Sequence, residues 1–334
     1  MSRGRSSWEA FRVFVVGCGS IGRRHLANLK SLGIRDLIVH DSAAERAQLV
    51  VGESGVRAVS TLAEGLDAKP VAVVVCTPPH MHVQVARDAV MAGADVLIEK
   101  PISDRLEGLE ALVEVSAERG RVIMVGYNLR FHRGLRRMRD LVLSGAVGKV
   151  LTLQAEFGYH LASWRPKMDY RKGYFASENS GGGVLLDVSH EIDYVRWIAG
   201  EVHSVYAVAE HVSPLEIDTE DVAFLSLRFA GGHLGQVSLD CLQPGYSRWC
   251  KVTGSEGALA WEHGQGLRSW ENGAWREIEP AQDIGETYLR EMEHFLACVQ
   301  RRAAPSVDGI EGMQVLRIVL AAKESARLRR EVTI

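Results

Sequence analysis

The chain has 334 residues, 46% of them apolar, and a formal net charge of −3, which is the balance of an ordinary globular protein of about two domains. This near-neutral charge gives no electrostatic reason to expect a nucleic-acid or anionic-membrane partner. No apolar run approaches the roughly 18 residues of a membrane-spanning helix, and residues 1–10 lack the apolar core of a signal peptide. Five single cysteines favour reduced thiols and a cytoplasmic location.

The first third of the sequence alternates short apolar runs with amphipathic segments. Continuous β-branched runs that are each followed by a helix are typical of a parallel sheet covered on both faces. The pattern predicts a doubly wound α/β domain over residues 1–126. Its predicted strands are 11–16, 37–39, 71–75, 96–98 and 122–125, and its predicted helices are 20–31, 43–51, 83–92 and 106–119.

Beyond residue 126 the sequence changes to longer alternating strands separated by glycine-rich turns, as in an antiparallel meander. We predict a second domain over 127–334, of the α+β class, with an open and mainly antiparallel sheet. An exposed face of that sheet would bind further copies of the chain, so a homodimer or homotetramer is expected. The predicted strands are 151–157, 204–209, 223–229, 234–239, 250–253 and 258–261, and the predicted helices are 135–144, 184–199, 288–301 and 309–327.

A G-x-G-x-x-G motif, Gly17-Cys18-Gly19-Ser20-Ile21-Gly22, directly follows the first predicted strand and opens the first helix. Its glycines permit a tight turn, the approach of a pyrophosphate and close contact between helix and strand, while the helix N-terminus presents N–H groups to the phosphates. Asp41 follows the second strand, about 20 residues later, where a carboxylate binds the ribose hydroxyls. NAD is therefore favoured over NADP, although Ser42 and Arg46 could soften that preference. A glycine turn without a ligand is the plain alternative.

A second loop, Thr77-Pro78 with His82, follows the third clear strand. Ligands of open α/β sheets bind outside the carboxyl ends of strands, so Thr77 and Pro78 should border the cofactor. His82 is predicted to form hydrogen bonds beside it. His80 and His82 have no nearby Cys, Asp or Glu to complete a ligand set, so no metal site is predicted.

Glu99-Lys100-Pro101 ends the next predicted strand, on the same edge of the sheet. A lysine at this position can place its ammonium near the reacting carbon and stabilise a developing alkoxide. A solvated surface charge is the plain alternative.

Three glycines, residues 181–183, lead into the predicted helix 184–199. Asp187, His190 and Asp193 follow one another at intervals of three residues, so one helical face can carry all of them. A carboxylate beside an imidazole forms a general acid–base unit, in which Asp187 orients the ring and His190 carries the proton. A buried polar cluster at the domain junction is the alternative reading of the same residues.

Together these motifs resemble the Gfo/Idh/MocA oxidoreductases, a family that includes glucose–fructose oxidoreductase and inositol dehydrogenase. The resemblance covers nearly the whole chain and implies a Rossmann domain followed by an α+β domain whose open sheet commonly forms the dimer interface. It also implies that Lys100, Asp187 and His190 line the catalytic pocket. Its marks are Gly17-x-Gly19-x-x-Gly22, Thr77-Pro78 with His82, Glu99-Lys100-Pro101, Gly126-Tyr127-Asn128-x-Arg130-Phe131, and the glycine stretch that leads to Asp187, His190 and Asp193.

The sequence departs from the family at one point. Family members such as inositol dehydrogenase usually space the catalytic Asp and His four residues apart, whereas Asp187 and His190 are three apart. The role of Asp187 is therefore open, with Asp193 or Glu191 as a substitute. The expected cofactor-binding residues are Gly17, Gly19, Ser20, Ile21, Gly22, Asp41, Thr77, Pro78, His82, Glu99 and Lys100, and the expected substrate-binding residues are Arg130, Arg165, Tyr174 and Asp193, with Trp164 and Arg171 as weaker candidates.

The sequence predicts an NAD(P)-dependent dehydrogenase that acts on a sugar or cyclitol hydroxyl. His190 would remove the hydroxyl proton, Lys100 would stabilise the alkoxide, and Asp187 would tune His190. One alternative is an enzyme with tightly bound NAD that runs an internal redox cycle, as an epimerase, lyase or glycosidase does. Another is a non-catalytic regulator that binds a dinucleotide, although such a sensor needs neither Lys100 nor His190.

Overall fold

The computed structural model describes residues 7–166 and 168–334, so most of the polar segment 1–10 lies outside the described residues. The chain forms two compact units, each made of two segments. The first consists of the residues up to Gly126 together with Tyr288–Met313, and the second consists of Tyr127–Thr287 and Gln314–Ile334. One division falls where the sequence predicted it. The segment Tyr288–Met313 was expected in the second domain and instead belongs to the first unit.

The first unit contains a six-stranded, all-parallel sheet in the order β3-β2-β1-β4-β5-β6. This order is the doubly wound arrangement of dinucleotide-binding folds, and it confirms the predicted fold class. The elements are β1 (Arg12–Val16), α1 (Ser20–Ser31), β2 (Asp36–His40), α2 (Ala44–Ser54), β3 (Arg57–Ala58), α3 (Leu62–Asp67), β4 (Ala72–Val75), α4 (His82–Met91), β5 (Asp95–Glu99), α5 (Leu109–Glu118) and β6 (Ile123–Gly126).

Within the first unit, the sequence did not predict the strand β3 and the helix α3, and both are short. β3 has two residues and α3 has six, too few for a hydrophobic period to be recognised. The central strands are buried on both faces, as their β-branched runs predict.

The segment Tyr288–Met313 completes the first unit beside β6. The backbone N–H of Val125 donates to the carbonyl of Val307 at 2.9 Å, and Met124 forms an antiparallel bridge with Asp308. A Cβ at Gly312 would lie 2.7 Å from a methyl carbon of Val125. The assignment of Tyr288–Met313 to the second domain was therefore wrong. Helical periodicity reveals that a segment has an apolar face, but not which hydrophobic core that face covers.

The second unit contains a nine-stranded sheet in the order β14-β13-β12-β11-β7-β10-β9-β8-β15. All neighbouring strands are antiparallel except β7 and β10, which confirms the predicted mainly antiparallel sheet. The remaining elements are α6 (Arg133–Leu143), β7 (Val150–Gly158), α7 (Leu161–Trp164), α8 (Val184–Asp187), α9 (His190–Ala199), β8 (Val202–Glu210), β9 (Val222–Phe229), β10 (Leu234–Asp240), β11 (Ser247–Gly254), β12 (Ala258–Glu262), β13 (Gly266–Glu271), β14 (Ala274–Glu279), α10 (Ile284–Arg301), α11 (Gly309–Leu328) and β15 (Val332–Thr333).

The predicted helix 184–199 is two helices rather than one. α8 ends at Asp187, Val188 has φ −100° and ψ 32°, and α9 begins at His190. The hydroxyl of Ser189 does not cap α9 but accepts a hydrogen bond from the Tyr127 hydroxyl. The expectation that Asp187, His190 and Asp193 share one continuous helical face was therefore wrong.

Gly65 in α3 tests the packing of the first unit. A Cβ there would lie 2.2 Å from the ring of the fully buried Phe14. Gly65→Ala should lower the free energy of unfolding by about 1–3 kcal/mol through overpacking. The matched change Gly52→Ala in α2, where nothing lies within 4 Å, should raise it by about 0.5–1 kcal/mol. Urea unfolding of both variants measures the difference, and equal shifts would contradict the proposed overlap.

Candidate functional site

The glycine loop joins β1 to α1 and has no room for side chains at two positions. Gly17 has φ +100°, and a Cβ on it would lie 2.4 Å from the carbonyl oxygen of Cys76. A Cβ on Gly22 would lie 1.9 Å from the carbonyl oxygen of Gly17. The space around Gly19 is open, and Gly19 is the N-cap residue of α1 but has no side chain to bond the first N–H groups. The first N–H groups of α1, beginning at Ser20 and Ile21, are thus left for an anionic ligand.

Asp41 follows β2 and is fixed against this loop. Its Oδ2 accepts the N–H of Cys18 at 2.7 Å, and its Oδ1 accepts the N–H of Ala43 at 2.9 Å. A carboxylate has about four acceptor positions, so both oxygens can also accept hydrogen bonds from ribose hydroxyls. The loop and Asp41 together fit a dinucleotide.

The next strand of the sheet, β4, ends at the Thr77-Pro78 loop. Both residues are half-buried, and Thr77 Oγ1 has no hydrogen-bond partner among the described residues, which suits a polar ligand. His82 is buried, with its ring nitrogens 2.8 Å from the carbonyl oxygen of Thr77 and 2.9 Å from that of Pro101. Burial lowers the pKa of His82. Its ring therefore joins the two loops, and its predicted position beside the cofactor stays a prediction.

Lys100 is half-buried and follows β5. The preceding residue, Glu99, points inward: its Oε2 accepts the N–H of Lys100 at 3.2 Å, and its Oε1 lies 2.6 Å from Nε2 of His25. Glu99 thus contacts both His25 and the backbone of Lys100 at the end of β5, and its predicted contact with the cofactor stays a prediction.

His25, Glu99 and Glu291 form a buried cluster that the sequence analysis missed, with one ligand atom from each within 4.8 Å of the others. Burial and the nearby Glu99 raise the pKa of Glu291 well above its ordinary value. The 2.6 Å between His25 and Glu99 is a hydrogen-bond distance, whereas two ligands of one tetrahedral zinc ion stand about 3.3 Å apart. The available signal was a glutamate within the apolar pattern of the helix predicted at 288–301.

In the second unit, the glycine stretch brings Tyr174 to Asp187. A Cβ on Gly182 would lie 2.3 Å from the carbonyl oxygen of Phe175, so the glycine lets the turn at 174–176 pack against the start of α8. The Tyr174 hydroxyl then donates to Oδ1 of Asp187 at 2.5 Å. Asp187 and His190 are both buried but retain 8% and 7% exposure.

The two proposed substitutes for Asp187 are engaged elsewhere. Asp193 accepts a two-pronged hydrogen bond from Arg130, at 2.7–3.0 Å, and Glu191 lies 2.8 Å from Nε of Arg248. All four side chains are buried, and a buried charge is stable only when it is paired. The predicted role beside His190 therefore stays with Asp187 and remains a prediction.

The predicted substrate-binding residues divide into two groups. Arg130 and Asp193 are buried against each other, so they have little surface for a sugar, and we assign them a structural role instead. Arg165 is exposed and Tyr174 half-buried, so both stay predictions. Of the weaker candidates, Trp164 donates to the carbonyl of Tyr159, and Arg171 pairs with Asp169 and Glu216.

A phosphate-binding loop with a ribose carboxylate beside it defines a dinucleotide-binding unit, and a lysine on the same sheet edge suits redox chemistry. The class is that of a dinucleotide-dependent oxidoreductase.

Within that class, the chain belongs to the GFO/IDH/MocA family. Residues 11–127 match the family model described as an oxidoreductase family with an NAD-binding Rossmann fold, and residues 135–260 match the family's C-terminal domain.

Known proteins resemble the chain over nearly its full length. It is 27% identical to myo-inositol 2-dehydrogenase of Thermotoga maritima, over 97% of this chain and 98% of that protein. It is 26% identical to inositol 2-dehydrogenase of Rhizobium meliloti, over 97% and 99%. The solved structure of GenD2 from gentamicin A biosynthesis, in complex with NAD, superposes with a TM-score of 0.87 at 25% identity and covers 100% of this chain and 99% of its own. The predicted family and the predicted NAD cofactor are confirmed.

The raised pKa of Glu291 gives a prediction about stability and pH. The folded chain retains a proton on Glu291 that the unfolded chain loses above about pH 4.3. The free energy of unfolding therefore contains a contribution that is complete below that pH and is lost as pH rises toward the folded pKa. Glu291→Gln removes this slope, so its stability relative to the wild type should increase with pH.

Urea unfolding across a pH series measures the slope. Glu293→Gln, at a partly exposed position of α10, is the matched control and should keep the wild-type dependence. Parallel curves for wild type and Glu291→Gln would show that Glu291 is not held as a neutral acid.

Proposed function

We propose that the chain is an NAD-dependent dehydrogenase of a sugar or cyclitol hydroxyl. One observation carries the proposal: β1, β4 and β5 are neighbours in the sheet, so the glycine loop, Thr77-Pro78 and Lys100 follow one another along a single edge. Ligands of doubly wound sheets bind at this edge. Lys100 then stands beside the path of the dinucleotide rather than on an unrelated surface.

Each residue has a defined task in this reaction. Bound at this edge, NAD would supply the acceptor for the hydride of the substrate carbon. The Lys100 ammonium stabilises the negative charge that develops on the substrate oxygen, and His190 takes the hydroxyl proton. Asp187 supplies a negative charge that favours the protonated imidazole, while the Tyr174 hydroxyl fixes the orientation of Asp187. Asp41 binds the ribose hydroxyls and repels a 2′-phosphate, which favours NAD over NADP.

The substrate class rests on the names of the relatives together with the polar side chains that remain exposed. Arg165 and Tyr174 are suited to hydroxyl groups, and the relatives act on inositols by name. We therefore place myo-inositol first in a panel of cyclitols and aldoses.

Lys100→Met and His190→Asn test the assignment. Lys100→Met keeps the length of the side chain but removes its charge, and it should lower kcat by at least about 100-fold. His190→Asn should lower kcat by about 10²–10⁴-fold. NADH formation across the panel gives kcat, and fluorescence titration gives the Kd for NADH, which should stay within about three-fold because the glycine loop and Asp41 are intact.

Lys149→Met, at an exposed lysine of the second unit, is the control and should leave both quantities unchanged. Near-normal turnover by Lys100→Met would reject the role of Lys100. NAD that stays bound through purification, with no net NADH formed, would instead indicate an internal redox cycle.

A homo-oligomer formed through the nine-stranded sheet accounts for its exposed apolar side chains. Val208 of β8 and Phe224 of β9 are directly opposite cross-strand partners and are 47% and 51% exposed. Tyr206 lies two residues from Val208, on the same face of β8, and is also exposed. Apolar clusters of this kind mark contact surfaces.

The same proposal places the chain in the cytoplasm, where its five free thiols would stay reduced. Among the helices of residues 7–166 and 168–334, none has the length and apolar character to span a bilayer.

Phe224→Lys tests whether the exposed apolar face of β8 and β9 forms the proposed interface. A charge at the centre of a self-complementary patch meets its own copy across the interface, so the variant should dissociate to smaller species in sedimentation velocity experiments. Leu143→Lys, at a similarly exposed position of α6, should sediment like the wild type. An unchanged distribution for Phe224→Lys would remove this face from the interface.

A further inference from the structure

Residues 127–131 follow β6 and form contacts at two points, with Ser189, which precedes α9, and with α9 itself. We call this segment the 127–131 turn. At the first point, the Tyr127 hydroxyl donates to Ser189 Oγ at 3.2 Å. At the second, Arg130 pairs with Asp193 at 2.7 Å. The 127–131 turn is buried, so both contacts are shielded from water.

The first contact also reaches His190. The Tyr127 and His190 rings pack edge to face, with centroids 5.7 Å apart and an interplanar angle of 83°. Ser189 immediately precedes His190, so the hydroxyl and the ring of Tyr127 contact consecutive residues. Tyr127 is thereby held at one end by a hydrogen bond and presents its ring to the imidazole. An imidazole pivots about two side-chain torsions, and a rigid neighbouring ring restricts that motion.

The second contact fixes the helix itself. The guanidinium of Arg130 binds both carboxylate oxygens of Asp193, one turn along α9 from His190, and lies 5.6 Å from the centre of the Trp197 ring. A two-pronged ion pair restricts rotation of α9 about its axis as well as its position. The start of α9 therefore has few ways to move.

We infer that Tyr127 and Ser189 are positioning residues that set the orientation of the His190 ring, on a helix whose own position the Arg130–Asp193 pair sets. The inference rests on the proposed function, in which His190 carries the substrate proton. It also assigns a role to Tyr127 and Arg130 of the Gly126-Tyr127-Asn128-x-Arg130-Phe131 motif, which has no part in the proposed reaction steps. Displacing a catalytic group by about 1 Å can cost about 100-fold in rate. The 127–131 turn can therefore affect the rate through the orientation of the His190 ring.

Tyr127→Phe and Ser189→Ala test the inference because each removes one hydroxyl and keeps the packing volume nearly constant. The first readout is the NMR spectrum of the full-length chain with histidines labelled with ¹³C at Cε1, where the His190 signal is identified by its loss in His190→Asn. In both variants this signal should move and broaden, as expected for a ring that samples several orientations. The second readout is turnover with NAD and myo-inositol, where kcat should fall about ten-fold with an unchanged Kd for NADH.

The double variant separates positioning from general destabilisation. If the two hydroxyls act through their shared hydrogen bond, Tyr127→Phe with Ser189→Ala should lose no more kcat than either single variant. Tyr194→Phe is the matched control: Tyr194 is a fully buried tyrosine of α9 whose hydroxyl faces Glu191 at 3.4 Å. It should leave the His190 signal in place.

A His190 signal that superposes on that of the wild type in both single variants would overturn the inference. The NMR readout needs no turnover, so it decides the matter even if myo-inositol is not a substrate. An active His190→Asn would instead reject the proposed role of His190, which is a separate outcome. If Tyr127→Phe lowers Tm, Ser189→Ala provides the decisive comparison.

Discussion

The contact between the backbones at the carboxyl ends of β1 and β4 controls the geometry of the first unit. Gly17 packs against the carbonyl group of Cys76, and Gly22 of α1 packs against the carbonyl group of Gly17. Neither contact leaves room for a Cβ on the glycine. Any larger residue would push the helix away from the strands. The direction of α1, and hence of its exposed N–H groups, follows from this contact. Asp41 accepts a hydrogen bond from the same loop, so the proposed contacts with phosphate and ribose depend on one arrangement.

The second unit is organised by the pairing of buried charges. Within a few residues, α8 and α9 contain three carboxylates and one imidazole. Glu191 and Asp193 are held by Arg248 and Arg130 and stabilise the position of α9. Asp187 accepts a hydrogen bond from the Tyr174 hydroxyl and, like His190, is buried with a small exposed fraction. The arginine pairs thus account for the burial of Glu191 and Asp193 beside the proposed catalytic His190.

The sequence was sufficient for the fold class, because continuous apolar strands and a glycine loop are local signals that translate directly into a parallel sheet. It was also sufficient to select Lys100, Asp187 and His190 as candidates. It could not reveal the interruption at Val188 and Ser189, because the apolar period continues across it and the partner of Ser189 lies 62 residues away. The contact between Glu291 and Glu99 was hidden for the same reason. Spacing along one segment carries no information about which distant side chain fills the remaining space.

The return of Tyr288–Met313 to the first unit has a consequence for biosynthesis. When the ribosome has released the first 126 residues, all six strands of the parallel sheet exist, but the chain that covers β6 has not yet been made. Ile123 and Val125, buried in the finished protein, stay exposed until about 180 further residues have followed. The nucleotide-binding unit therefore starts first but is complete only when Met313 has been made, and its slowest contacts join the most distant parts of that unit. A cell that makes this protein must protect an unfinished sheet edge while most of the second unit is translated.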